Sequence, residues 1–359
     1  MWILAITLCA CRSAPRADGD SWAQPQFDLV DHMPVTSIAW SPDGRYIVAA
    51  STQGNQIHVW DVPRRKFVLG FERSASVADF RELSWGPSGD LAICDGNFGT
   101  VKLYNSRDWS QPRVLGSDGD RACWTSAFSS DGRELAVLGG LLRVYSVTDG
   151  HLLRVIDLVK EVSHGMPFAF KAIGYLPGTH DLLIGGDDFD SPDPHSQLTG
   201  HIWILNATEG LPHREFAAYR YEPPNAPAQL ISLAISPDGR MVATGTMTGA
   251  GAGQLGNVTA AVHILRIADG SLLGTPLDGR GVGYQQGIQF TPDGRYLLVA
   301  LGGIKTTHDI DVLDGKTFQQ LATVHAASTV YGLAIQPDGS RFAVCAGSRI
   351  HIWSLPPPH

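Results

Sequence analysis

Ser41-Pro42-Asp43-Gly44-Arg45 stands between residues 35–40 and 46–50, two short runs rich in apolar and β-branched side chains. Proline sets φ at the second turn position, aspartate bonds back to its own backbone, and glycine accepts the positive φ that completes the reversal. The two flanking runs therefore pair as an antiparallel hairpin. With Pro42 as the mark, the pattern returns at Pro87, Ser130, Pro177, Pro237, Pro292 and Pro337, in steps of 45, 43, 47, 60, 55 and 45 residues. Seven copies of one unit cover nearly all of the 359 residues.

Each copy has the same internal order: an apolar strand, the turn, a β-branched strand, a Gly-rich loop, a third strand, a short turn and a fourth strand. In the first copy the strands are expected at 35–40, 46–50, 57–60 and 66–71. No segment of ten or more residues has amphipathic helical spacing, which excludes the crossover helices of an α/β protein. A period near 45 residues with four strands per unit is that of a propeller blade. One such sheet cannot bury both its faces, whereas seven stacked around an axis can. The expected fold is all-β, a seven-bladed β-propeller of four-stranded antiparallel blades. Residues three and five before each mark are mostly small, as in Ala39, Ala127, Ser37 and Thr125, which suits crowded innermost strands. Glu82 and Gln289 break that rule and could face the central channel. The last copy supplies only the strands 330–335, 341–346 and 349–353. Residues 26–31 are predicted to pair beside 349–353, closing the ring and removing exposed sheet edges.

With 43% hydrophobic and 17% charged residues the chain can bury a large core. Its 27 Lys and Arg against 35 Asp and Glu leave a net charge of −8, which opposes a phosphate backbone and argues against a nucleic-acid partner. Residues 1–10 are apolar apart from Thr7 and lead into Leu8-Cys9-Ala10-Cys11. As a helix this run is about 15 Å long, half a bilayer core, so it is no spanning anchor. The pattern resembles a bacterial lipoprotein signal, which implies cleavage before Cys11 and a lipid on that residue. Residues 12–21 then form a tether, and 22–359 a single propeller anchored at the cell envelope without a spanning helix. Another export signal, or the plain N-terminal tail of a cytoplasmic protein, are the alternatives. Cys94, Cys123 and Cys345 fall in strand contexts and read as small buried hydrophobes; their odd number implies no disulfide framework.

Ser41-Pro42-Asp43-Gly44, Ala49-Ala50-Ser51 and Ile57-His58-Val59-Trp60-Asp61 resemble the WD-repeat β-propeller family, as do Pro337-Asp338-Gly339 and Ile350-His351-Ile352-Trp353-Ser354. The resemblance runs over about residues 26–355. Elsewhere the Trp-Asp pair becomes Tyr104-Asn105, Tyr145-Ser146, Ile204-Leu205, Leu265-Arg266 and Val312-Leu313. The family's Gly-His pair is absent, with His32, His164 and His325 near its place. This departure bears on the family's hydrogen-bonded tetrad rather than on the propeller. The resemblance implies a rigid, non-catalytic platform that binds a protein or peptide, as a monomeric propeller within a larger complex.

Loops between second and third strands lie on the face opposite the Pro-Asp-Gly turns. They are longest at 186–199, 245–259 and 302–308, in blades four to six, which makes that sector the expected binding face. Arg81, Arg121, Trp124, Lys171, Tyr221, Arg280, Tyr284 and Tyr331 lead into innermost strands and are expected at the channel mouth, where cations and aromatics suit an anionic peptide or a sugar. Asp187, Asp188, Asp190, Asp193 and His195 crowd one loop and could offer oxygen ligands to a cation such as Ca²⁺, although no EF-hand spacing is present. A solvated acidic loop is the other reading. A metal there would suit the alternative function, a hydrolase or lactonase-like enzyme with its site near the channel mouth. No Gly-x-Ser-x-Gly, His-Glu-x-x-His or Cys-x-x-Cys motif occurs.

Overall fold

Residues 41–46 make the expected reversal, and each polar group in the turn has a partner. Gly44 takes φ 70° and its amide donates to the Ser41 carbonyl at 2.9 Å. The Ser41 hydroxyl donates to Asp43 Oδ1 (2.6 Å) and accepts from the Tyr46 amide (2.8 Å), while the Arg45 amide donates to the same Asp43 oxygen (3.0 Å). The arrangement recurs at Ser129–Asp131, Ser236–Asp238 and Thr291–Asp293. The residue before the proline is therefore as much part of the turn as the Pro-Asp-Gly core.

The computed structural model describes residues 24–51, 56–72, 83–94, 100–109, 111–116, 123–162, 168–188, 198–206, 208–221, 228–248, 260–277, 287–301 and 308–356. β1 (Phe27–Val30) precedes blade one, which holds β2 (Ser37–Trp40), β3 (Tyr46–Ala50), β4 (Gln56–Asp61) and β5 (Lys66–Glu72). Blade two has β6 (Leu83–Trp85), β7 (Asp90–Cys94), β8 (Val101–Asn105) and β9 (Arg113–Leu115); blade three has β10 (Cys123–Phe128), β11 (Glu134–Gly139), β12 (Leu142–Ser146) and β13 (Leu152–Ile156). After the helical turn α1 (Leu158–Glu161), blade four has β14 (Phe168–Tyr175), β15 (Leu182–Asp188), β16 (Leu198–Leu205) and β17 (Pro212–Tyr221). Blade five has β18 (Ala228–Ile235), β19 (Met241–Thr248), β20 (Ala260–Arg266) and β21 (Leu272–Gly274); blade six has β22 (Ile288–Phe290), β23 (Tyr296–Ala300), β24 (Asp309–Asp314) and β25 (Gln320–His325). Blade seven takes β26 (Val330–Ile335), β27 (Arg341–Ala346) and β28 (Arg349–Ser354), and its outer strand is β1. All seven sheets are antiparallel, and the fold class is the expected seven-bladed propeller.

Ring closure follows the predicted pairing. Phe27, Asp28, Leu29 and Val30 lie opposite Ile352, His351, Ile350 and Arg349. Leu29 is buried in the blade-seven to blade-one core, and Asp28 takes Arg349 Nη1 (3.1 Å) and His351 Nδ1 (2.7 Å). Between blades the core is apolar: Tyr46, Val48, Ile57 and Val59 of blade one pack on Leu83, Leu91, Ile93 and Tyr104 of blade two. Burying such side chains contributes about 1.5–3 kcal/mol each, which makes the blade seams the main source of stability.

Two expectations change. Cys94, at the end of β7, and Cys123, at the start of β10, are joined by a disulfide across the blade-two to blade-three seam, with Cα atoms 5.5 Å apart and both side chains buried. Parity misled because the third cysteine, Cys345, stays free and buried, with its thiol pKa pushed up to about 12 by burial. Gln289 lines the channel as expected, but its amide is bonded to the next blade rather than left for water or a ligand. Its Nε2 donates to the Leu333 carbonyl (2.9 Å) and its Oε1 accepts from the Ile335 amide (3.1 Å), clamping blade six to blade seven. Glu82 lies outside the described residues.

Candidate functional site

The face opposite the Pro-Asp-Gly turns, the loop face, is uneven. The second strands of blades one, two and six have five residues each, whereas β15 has seven and β19 eight. Their partners β16 and β20 match them, with Asp187 opposite Gly200 and Met247 opposite Ala260 at the outer end. At about 3.3 Å per residue, two or three extra residues raise these hairpins by roughly 7–10 Å. Among the described strands, those of blades four and five thus reach furthest on the loop face. The second strand of blade six has five residues. The connecting residues 189–197, 249–259 and 302–307 lie outside the described residues.

The innermost strands share a second feature. In blade three Cys123 faces Gly139 and Thr125 faces Leu138, so Trp124 is an extra residue on its strand. The same one-residue slip sets Lys171 between Phe170 and Ala172, Ile231 between Leu230 and Ser232, and Tyr331 between Val330 and Gly332. All four stand six residues before their turn mark. A bulge twists its strand locally and re-aims the extra side chain, and bulges gather at rims and sites for that reason. Trp124, Lys171 and Tyr331 are thereby collected at the loop-face end of the innermost strands, where the sequence placed them. Trp124 is half-buried, and Tyr331 packs against the blade-seven to blade-one core. Ile231 was missed, although it stands at the same position minus six as the others, in the series Thr36, Arg81, Trp124, Lys171, Ile231, Gln286 and Tyr331.

Below this rim runs a cavity of about 290 Å³ lined by innermost strands of blades two to six, with Thr125, Ser126, Ser232 and Gln289 as its polar groups. Ser84 and Ser126 hydroxyls meet at 2.7 Å across one seam. None of the described lining residues is charged; Glu82, expected to face this channel, lies outside them.

The remaining predicted residues separate. Tyr221 ends β17 opposite Leu198, on the outermost strand of blade four and not at the channel. Arg81, Arg121, Arg280 and Tyr284 lie outside the described residues, as do Asp190, Asp193, His195 and Cys11. Asp188 closes β15 opposite Phe168. Asp187 is buried, its Oδ1 accepts from the Leu230 amide at 2.8 Å, and its Oδ2 lies 3.9 Å from Lys171 Nζ. Its carboxylate thus ties blade four to the innermost strand of blade five, a sufficient reason for an acid at that point. Among the described residues no three His, Cys, Asp or Glu side chains gather in a way that would hold a metal ion.

On the opposite face a polar cluster joins blades three and four. Glu134 Oε2 accepts from Arg154 Nη2 (2.6 Å) and from the Tyr175 hydroxyl (3.1 Å), and His180 Nδ1 lies 3.2 Å away. His180 Nε2 meets Asp131 Oδ2 at 3.1 Å. Burial opposes charge on His180, but the bonds and charges of Glu134 and Asp131 outweigh it and raise its pKa. Asp131 is held at about 2 by the Ser129 hydroxyl, then the Arg133 amide, with His180 adding to them against burial.

Residues 23–61 and 318–354 match the WD domain, G-beta repeat family. Over 84 residues the chain is 32% identical to autophagy-related protein 21 of Pichia angusta; that stretch is 23% of this chain and 22% of the relative, so the match spans about a fifth of the relative's length. A chain of hydrazine synthase from Kuenenia stuttgartiensis superposes with TM-score 0.71 at 15% identity, covering 90% of this chain and 96% of that one. A chain of a mitotic checkpoint complex gives TM-score 0.68 at 16% identity and 99% coverage of both. At these identities the two structures share the fold alone with this chain. In blade one, Asp31 Oδ2 accepts from Trp60 Nε1 (3.2 Å) and Asp31 Oδ1 lies 2.8 Å from His58 Nδ1, so a carboxylate from the segment entering the blade ties down the third strand although no Gly-His pair is present. The architecture makes this chain a seven-bladed β-propeller, and the segments that match the WD domain family run through its first and last blades.

Proposed function

We propose that this propeller is a non-catalytic scaffold that binds a protein or peptide on its loop face, in the sector where blades four and five rise and toward blade six. The observation that carries the reading is the length of β15, β16, β19 and β20, seven or eight residues each against five or six in the second and third strands of the other blades. Strand extensions displayed by a rigid ring offer a shaped wall, and the bulge residues Trp124, Lys171 and Tyr331 supply aromatic and cationic groups at the adjoining channel mouth. The function is exercised at the cell envelope, with a lipid on Cys11 as anchor. Supporting an exported location is the buried Cys94–Cys123 bond, since such bonds form and persist in oxidising compartments. No helix among the described residues is long and apolar enough to cross a membrane.

The test replaces residues 189–197 and 249–259 with short Gly-Ser links and compares partner capture from the native cell. The shortened protein is expected to keep its circular dichroism and melting profile and to lose the captured partner. Undiminished capture would place the binding surface elsewhere.

A further inference from the structure

Each blade ends in an outer strand, and among the described residues each outer strand has a neighbouring strand on one side alone. Natural sheet edges are blunted by short length, by proline or by charge within the strand. β9 and β21 have three residues each, and β1 carries Asp28. β13 carries Arg154, β17 carries Pro212, Arg214 and Glu215, and β25 mixes Gln320, Thr323 and His325 into its six residues. β5 departs from all of them. Its seven residues, Lys66–Glu72, hold charge only at the two ends, so Phe67-Val68-Leu69-Gly70-Phe71 is an uncharged run. Phe67 is 49% exposed and Val68 40%, and Gly70 is exposed as well, so this edge is open to solvent.

A basic cluster stands at the head of the strand, where the turn from β4 to β5 lies on the turn face. Pro63, Arg64, Arg65, Lys66, Phe67 and Val68 are consecutive exposed residues. Arg64 Nη1 and Arg45 Nε share the Asp61 carboxylate, at 2.7 and 3.2 Å. Arg65, at φ 53°, lies over the Phe27 ring at 4.2 Å, and neither Arg65 nor Lys66 forms an ion pair among the described residues. On a chain of net charge −8, β5 thus has a positive head, an apolar middle and a negative end at Glu72.

We propose that β5 is a second docking site of this protein, which takes an extended, acid-ended segment of a protein partner as a fifth strand of blade one. The segment runs antiparallel to β5, as β4 does, and this sets carboxylates at its C-terminal end beside Arg64, Arg65 and Lys66. Every second residue of β5 points its N–H and C=O away from β4, and another extended backbone is what matches that row. A lipid surface suits the cations and Phe67 but leaves the row of amides unmatched. Added strands draw affinity from main-chain bonds and specificity from side chains, here the charges at the head. The same ring already holds an outer strand brought from a distant part of the sequence, since β1 completes blade seven beside β28. The site lies on the outer rim and is independent of the loop face.

The probe is a fluorescein-labelled peptide of five alternating Thr and Val residues followed by three Glu, titrated against the full chain by anisotropy with hydrogen exchange read in parallel. Binding is expected below about 1 mM, with slowed exchange at the amides of β5 and unchanged exchange at the other outer strands. Arg65→Gln with Lys66→Gln is expected to weaken binding roughly fivefold and to flatten its salt dependence. Val68→Lys adds a positive charge yet places it inside the edge, and is expected to remove the slowed exchange. The reversed peptide, with its Glu residues first, is expected to bind roughly fivefold more weakly than the forward one. Circular dichroism and melting, expected unchanged in each variant, separate lost binding from lost folding. No binding, equal binding of the two peptides, or protection outside β5 would overturn the proposal. Capture on phosphatidylserine vesicles that the peptide does not compete away would overturn it in favour of a lipid surface.

Discussion

Trp60 and Trp353 occupy equivalent places in blades one and seven, yet their indole N–H groups meet different fates. Trp60 Nε1 donates to the buried Asp31 carboxylate, which also holds His58. Trp353 Nε1 is buried with no acceptor, and its ring stacks on Phe342 with centroids 5.5 Å apart and planes 7° from parallel. Replacement by Phe removes similar apolar area in both, so the difference between them isolates the hydrogen bond to a charged group, worth about 1.5–3 kcal/mol. Trp60→Phe is expected to destabilise the protein by about 2 kcal/mol more than Trp353→Phe, read as the shift in urea midpoint. The sequence reading found both tryptophans from the strand pattern. It could not assign the acceptor, because Asp31 is 29 positions from Trp60 and comes beside it only when the chain enters the blade from the loop face.

At the scale of elements, the short turns between third and fourth strands show how much packing overrides local preference. Gly150, Gly210 and Gly270 take positive φ there, as expected of glycine, but Trp109 takes φ 53° and Phe318 φ 61° at the same turn position. Trp109 tolerates that backbone because its ring meets Tyr46 of blade one at 5.5 Å across the seam and Trp85 of its own blade at 5.9 Å, both edge-on. Another turn, at residues 176–181, carries His180 into the seam of blades three and four. Facing it are Asp131 and Glu134 from blade three, with Arg154 of β13 and Tyr175 of β14 bonded to the same Glu134 carboxylate. His180 has a folded pKa raised above the ordinary 6.5, so its protonated form is preferred in the folded state. Its contribution is therefore complete below about pH 6.5 and fades as pH rises through the raised value. Wild type is expected to melt above His180→Gln near pH 5.5, with the gap shrinking toward pH 9, by calorimetry at both; a gap independent of pH would show that His180 acts through packing alone.

For the whole molecule, one long-range link closes the row of sheets into a ring and another fastens two neighbouring blades. One is the antiparallel pairing of β1 with β28, and the other is the Cys94–Cys123 bond between blades two and three. The disulfide encloses 29 positions of sequence, for which loop-closure entropy implies about 3.5 kcal/mol of stabilisation. The Cys94→Ala, Cys123→Ala double variant is expected to unfold at lower denaturant by about that amount while keeping its strand content. The same loss should follow in the wild type under a strong reductant; identical midpoints with and without reductant would show that the bond is not formed. Spread over the ring, the candidate binding surface is likewise a property of the whole, since the rise of blades four and five is visible only against their five neighbours.

Strand order, blade number and the closing strand were readable from residues 26–356 because each depends on local chemistry: turn residues at fixed spacing, alternation of period two, and a last repeat one strand short. Loop insertions also singled out blades four to six, and the second strands of four and five are the long ones among the described residues. Only the folded ring decided that Cys94 meets Cys123, that Gln289 clamps the next blade, that Asp187 serves Leu230, and that Trp124, Lys171, Ile231 and Tyr331 are bulges at one level. These contacts cross from one blade to the next or depend on the register between strands. A periodic pattern specifies each blade but leaves open which side chains touch across a seam until the stacking around the axis sets their height and angle.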